Sequence, residues 1–91
     1  MISIELTKSF KKIVVESGRE AEVSATLKLV RDGFGNPHAH AGISIRKLGK
    51  QIFICRTSLA WRLLFVAQKG VLTFFFAGDH DEVQDHLRGH H

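Results

Sequence analysis

Ninety-one residues, 44% of them apolar and 24% charged, suit a single globular domain whose core has little to spare. The formal net charge is +4, and no apolar run approaches the roughly 20 residues that a membrane span requires, so no membrane association is expected. One cysteine, Cys55, excludes an internal disulfide, and the first residues form no basic or apolar leader, which together imply the reducing cytoplasm.

Ile2, Ile4 and Leu6 alternate with Ser3, Glu5 and Thr7, the two-residue period of a strand. Thr7 or Ser9 can cap a helix running to about residue 16, with Phe10, Ile13 and Val14 on one face. Ser17-Gly18 ends it, since glycine enters the left-handed region without steric cost. A second helix is expected from about residue 19 to residue 32, where Val23, Leu27, Val30 and Phe34 recur at steps of four and three, with Gly33 as its stop. So short a turn makes the two helices antiparallel.

Gly35-Asn36-Pro37 reads as a loop, followed by His38-Ala39-His40-Ala41-Gly42. Beyond it the period returns to two. Strands are expected over 43–48 and 51–57, joined by a two-residue turn at Gly49-Lys50. Ser58-Leu59-Ala60 leads into a strand over 61–68, and Lys69-Gly70 into another over 71–77, which makes an antiparallel meander. These strands are apolar on both faces at their centres. The helical hairpin should cover one face, and the C-terminal segment or a partner part of the other. Asp79 and Glu82 have the spacing of a capping box, opening a short helix with Val83 and Leu87 four residues apart. The fold class is therefore α+β, ordered β-α-α-β-β-β with a short C-terminal helix, in one domain over residues 1–91. His90-His91 are set aside from any site.

Charge is distributed unevenly along these elements. Residues 33–78 contain no Asp or Glu, yet carry Arg46, Lys47, Lys50, Arg56, Arg62 and Lys69. The preceding residues are nearly balanced, and the last 13 hold Asp79, Asp81, Glu82 and Asp85 against Arg88. A field of one sign attracts a polyanion, and phosphate backbones are the commonest polyanion in a cell. A solvated, solubilising face would explain the cations as well, but not why acids are missing from this stretch alone.

Several short segments, taken together, resemble the RelE/ParE toxin superfamily. Thr7-Lys8-Ser9-Phe10-Lys11-Lys12 is similar to its T-x-S-F-x-K opening, and Arg46-Lys47-Leu48-Gly49 followed by Cys55-Arg56 to its RKL-G…E-x-R segment. Trp61-Arg62-Leu63-Leu64-Phe65 resembles its Y-R-h-h-F strand, and Ala77-Gly78-Asp79-His80-Asp81-Glu82 the h-G-x-H-x-E end of some members. The resemblance implies a small toxin of a bacterial toxin–antitoxin pair, silenced by a cognate antitoxin. RelE-, YafQ- and HigB-like members cut mRNA, usually in the ribosomal A site and without metal; ParE-like members poison DNA gyrase, which is the alternative target here, and a fold relative without toxicity is the other alternative. Two lysines of the RelE subgroup fall at Phe53 and Cys55, and its C-terminal tyrosine falls near His86. The histidine-using, YafQ-like subgroup is the nearer comparison: its loop histidine matches His38 or His40, its histidine after the last strand matches His80, and its third has no counterpart.

Metal-free RNA cleavage needs a base for the 2′-hydroxyl, an acid for the leaving 5′-oxygen, and cations for the charge gathering at phosphorus. Histidine suits the first two roles and arginine the third. The catalytic candidates are His80 as acid or base, Arg62 and Arg56 as phosphate clamps, and His38 or His40 as the second proton-transfer group. Arg46, Lys47, Lys50 and Trp61 are candidate nucleic-acid contacts, Trp61 by stacking on a base. Each has a plainer competitor. His80 alone reads as a surface or capping residue, Trp61 shares parity with Leu63 and Phe65 and so reads as core, and Arg56 could pair with Glu5 or an acid of the last helix. His38-x-His40 lacks the further ligands of a zinc site, Cys55 reads as inert packing, and neither metal nor cofactor is expected.

Overall fold

The computed structural model describes residues 2–34, 44–57 and 61–89. In chain order the elements are β1 (Ser3–Leu6), α1 (Lys8–Ser17), α2 (Glu20–Gly33), β2 (Arg46–Lys47), β3 (Ile52–Arg56), β4 (Arg62–Gln68), β5 (Val71–Gly78) and α3 (His80–Arg88). Thr7 caps α1, its hydroxyl accepting from the Phe10 amide at 3.1 Å, and Gly18 closes the helix at φ +73°. Gly33 is the last residue of α2 rather than the residue beyond it, and Phe34 takes the C-cap position.

The sheet order is β1-β5-β4-β3-β2. β2 to β5 form the meander, one strand more than the order β-α-α-β-β-β counts, and β1 joins it parallel to β5, with Ser3 opposite Val71 and Leu6 opposite Phe74. The sheet is therefore mixed. Two-residue alternation located β1 but carries no information on a partner almost seventy residues away. The β4–β5 turn is the tight one: Lys69 and Gly70 both have positive φ, 52° and 79°, the backbone of a type I′ hairpin. The Gly49-Lys50 turn is wider than the two residues expected. The amides of both Leu48 and Gly49 donate to the Ile52 carbonyl, so pairing stops at Lys47 and Phe53.

Two clusters of buried side chains divide the sheet into faces. Phe53, Cys55, Leu63, Phe65, Leu72, Phe74 and Ala77 pack with Phe10, Val14, Val23 and Val30 of the two N-terminal helices. On the other face Ile54, Leu64 and Phe76 pack with Val83 and Leu87, so α3 is the expected C-terminal cover. One irregularity makes this partition possible. Leu64 pairs with Phe76 but Phe65 with Phe74, leaving Phe75 as an extra residue in β5. This bulge resets the alternation, so that Phe74 enters the main core while Phe76 lies under α3.

Candidate functional site

Arg56 lies directly opposite Arg62 across β3 and β4, and Arg62 directly opposite Gly78 across β4 and β5. Residues so paired point to the same side of a sheet. One row above the apolar strip Ile54–Leu64–Phe76 there are thus two guanidinium side chains followed by a glycine. Arg46 pairs with Ile54 and joins the same face from β2. Arg46, Arg56 and Arg62 line one solvent-open cavity of about 390 Å³ with Ser44, Ile45 and Ile54, and none of its described lining residues is an acid.

The Arg56 side chain is held from the side. Its Nη2 donates to the Ser44 hydroxyl at 3.0 Å, and Ser44 sits at φ +49°, a left-handed backbone that a non-glycine residue adopts only at a cost. Arg56 is thus anchored by Ser44, and no acid pairs with it among the described residues. Like charges facing each other across a ladder are destabilising, so Arg56 and Arg62 gain most when an anion lies between them.

His80 is the first residue of α3, exposed, and two residues past Gly78. That places it near the Arg62 row, yet it is not among the described residues lining the cavity. The capping box forms as expected: Asp79 accepts from the Glu82 amide at 2.8 Å, and Glu82 accepts from the Asp79 amide at 2.9 Å. Two amides of this helix end are consequently satisfied by the chain's own carboxylates. Asp79, Asp81 and Glu82 also surround His80 with negative charge, so the helix N-terminus itself is no phosphate cradle. His38 and His40 lie outside the described residues.

Trp61 is a correction to the nucleic-acid contacts expected from sequence. Only 7% exposed, it packs in the main core with Leu63 and Phe65, on the face away from the arginines, with the Arg19 guanidinium 5.0 Å from its ring centre. A strand's alternation leaves Trp61 and Arg62 no shared side. Lys47 and Lys50 also leave the arginines. Lys47 pairs with Phe53 and faces the helices, and Lys50 sits in the turn at the other end of the sheet. Among the described residues no three His, Cys, Asp or Glu side chains gather as a metal site. Burial pushes the Cys55 thiol up to about 12, which suits packing and not nucleophilic attack.

No protein-family model and no curated protein matches the chain. Solved structures do. YafQ from E. coli strain BL21(DE3) superposes with a TM-score of 0.67 at 16% identity, covering 91% of this chain and 98% of that one. The E. coli DinJ–YafQ complex gives 0.65 at 19% identity, with 91% and 98% covered. A copper-bound mutant toxin from Helicobacter pylori gives 0.65 at 16%, with 91% and 99% covered. The fold is that of YafQ.

Identities this low are a likeness of backbone, so the side-chain roles rest on the geometry above. On this YafQ-like frame the chain places one further group, which the resemblance set near the RelE subgroup's tyrosine but which is not among the candidates named from sequence. His86 stacks on Phe76, ring centres 3.9 Å apart and planes 9° from parallel, which puts an imidazole on the arginine face. The signal was present: Val83, His86 and Leu87 share one stripe of α3 at i, i+3, i+4. Ser44 had no such signal, because its role depends on a contact twelve residues away.

Proposed function

We propose that this chain is the toxin of a type II toxin–antitoxin pair and acts as a metal-independent endonuclease on mRNA at the ribosome, in the cytoplasm. The observation that carries the reading is a cavity on a YafQ-like fold, with no acid among its described lining residues, where Arg56 and Arg62 face each other with Arg46 beside them. A phosphodiester between two opposed guanidiniums is gripped by paired N–H donors, and the grip tightens as charge grows on the phosphorane. The 2′-oxygen forms the new bond to phosphorus and the bond to the 5′-oxygen breaks, giving a 2′,3′-cyclic phosphate and a 5′-hydroxyl. One proton passes from the first oxygen to the second. His80, two residues beyond the Arg62 row, and His38 or His40 are the groups assigned to that transfer. YafQ is solved in complex with DinJ; a cognate antitoxin of this chain would lay carboxylates over the same arginines and exclude RNA.

The test is a translating extract supplied with the purified chain, with mRNA ends mapped afterwards. Wild type is expected to cut, and Arg62→Ala to cut about 100-fold more slowly, the usual loss for one donor to a developing oxyanion. Intact mRNA with wild type overturns the reading.

A second reading, non-catalytic inhibition of DNA gyrase, is favoured by one observation: no histidine is among the described residues that line the cavity. It predicts trapped or relaxed plasmid when the chain is added to gyrase with supercoiled DNA, with mRNA left whole.

A further inference from the structure

At the opposite end of the sheet, on its opposite face, the other half of the acid-free segment comes together. Lys47, Lys50 and Lys69 rim a hollow of about 310 Å³ floored by Phe34, Phe53 and Leu72, and no acid is among its described lining residues. The two turns that carry Lys50 and Lys69 are both at this end, and Lys47 stands directly across from Phe53. Among the described residues none of these lysines has an ion-pair partner.

The floor is stiff. Phe53 stacks on Phe65 at 5.5 Å and Phe65 on Phe74 at 4.7 Å, so the ring that reaches the hollow is the last of a ladder fixed in the core. Phe34, from the end of α2, meets Phe53 edge-on at 5.2 Å and 78°, and both rings are partly exposed. Two aromatic rings packed at right angles can receive a flat group with little further ordering. Around them stand point charges, which track a phosphate chain without demanding one geometry.

We infer that this hollow is a second subsite for single-stranded RNA, taking a base against Phe34 and Phe53 and the adjoining phosphates on Lys47, Lys50 and Lys69. The inference rests on the RNA reading of the arginine cavity and extends it. Stacking rings within a lysine rim are the general means of holding single strands. Continuity supports it too. β2 is the edge strand, and its two residues face opposite ways, Arg46 into the cavity and Lys47 into the hollow. Along β3, Phe53 and Arg56 are separated by about 10 Å. A strand passing over the β2 edge therefore spans both sites within a few nucleotides. An acidic peptide would meet the lysines equally well but has no flat apolar group to match the floor at each charge.

The experiment measures fluorescence anisotropy of a labelled single-stranded 2′-O-methyl oligonucleotide, which cannot be cut. The Lys50→Glu/Lys69→Glu variant is expected to bind at least tenfold more weakly. Its log-affinity against log-salt slope should flatten by about 1.4, the share of two phosphate contacts on a single strand. Phe53→Leu, which keeps the floor apolar but removes its ring, should lose about tenfold. Lys12→Glu/Lys28→Glu reverses two exposed charges on the helices and should lose less than half of the first variant's effect. Equal losses in the two double variants would mean net charge alone and overturn the subsite. So would displacement of the oligonucleotide by polyglutamate at matched charge, with polyglutamate binding itself lost in Lys50→Glu/Lys69→Glu. If wild type binds no single strand, the RNA reading of the cavity falls too; if Arg56→Ala/Arg62→Ala weakens binding and the lysine variant does not, only the hollow falls.

Discussion

The six cations between residues 33 and 78 form one run in sequence and two sites in space. Three arginines share a cavity with a serine and an isoleucine wall, while three lysines ring an aromatic hollow on the far face and at the far end. In the cavity the cations are packed close, with Arg56 opposed to Arg62 and hydrogen-bonded to Ser44. Around the hollow they stand at the tips of turns and the edge of the sheet, separated by apolar rings. Fixed, forked donors can recognise one phosphate and respond to a change in its charge, whereas mobile point charges can only retain a chain that carries several. The difference suits a reacting group in the first place and a held segment in the second.

Exchanging the two kinds of cation would break that contrast most severely. Arg62→Lys keeps the charge but removes the second donor of the fork, so mRNA cleavage should fall about 100-fold. Lys50→Arg, the reverse exchange at the hollow, should leave cleavage and oligonucleotide affinity within about twofold. Equal losses from the two exchanges would show that only the sign of the charge matters in both places.

Next in size is Gly78→Ala. A Cβ at Gly78 would stand 2.9 Å from the Glu82 Cβ, and Glu82 is half of the capping box that starts α3. Relieving the contact displaces Glu82 and loses a cap, at about 1–2 kcal/mol in urea unfolding. Because Gly78 extends the Arg56–Arg62 row, cleavage should fall with it while oligonucleotide binding at the hollow holds. Loss of both together would mean a global defect.

How much of this was legible in the residues depended on the reach of each signal. Thr7 at the head of α1, the Asp79/Glu82 box and the Lys69-Gly70 turn are local, and each forms where the sequence places it. Arg56 and Arg62 fall on consecutive strands in the sequence, but only the register shows them directly opposite each other. Gly49-Lys50 looked like the same kind of turn as Lys69-Gly70, but turn composition does not determine where the ladder stops. The parallel pairing of β1 and the extra residue at Phe75 lie beyond any short-range pattern, and with them lay the division of the cations. Alternation alone would have sent Arg46 and Lys47 to opposite faces; only the pairing of Lys47 with Phe53 says that the second face holds an aromatic floor.

β3 separates the two faces residue by residue, and Cys55 reports on the packed one. The unfolded chain releases its thiol proton above the ordinary value of 9.0, whereas the folded chain keeps it to about 12. Between these values the unfolded state binds fewer protons, so stability falls as pH rises through the window, by at most about 1.4 kcal/mol per pH unit. Unfolding midpoints taken from pH 8 upward should show that slope in wild type and a shallower one in Cys55→Ala. An unchanged slope in the variant would mean that Cys55 is not held in the packed face.

The smallest effect concerns Ser44, where backbone and side chain can be separated. Ser44→Ala and Ser44→Gly both delete the hydroxyl that accepts from Arg56, but only glycine removes the cost of φ +49°. Relief of a left-handed residue, about 1–2 kcal/mol, is offset by about half through the extra freedom glycine gives the unfolded chain, about 0.5–1 kcal/mol. Glycine should therefore unfold within about 1 kcal/mol of wild type, and alanine somewhat below it. Cleavage should drop by the same few-fold in both, because what the active arginine loses is its anchor. A drop in the glycine variant alone would assign the role to the backbone of residue 44, and the strained φ would then matter for shaping the cavity wall and not for holding Arg56.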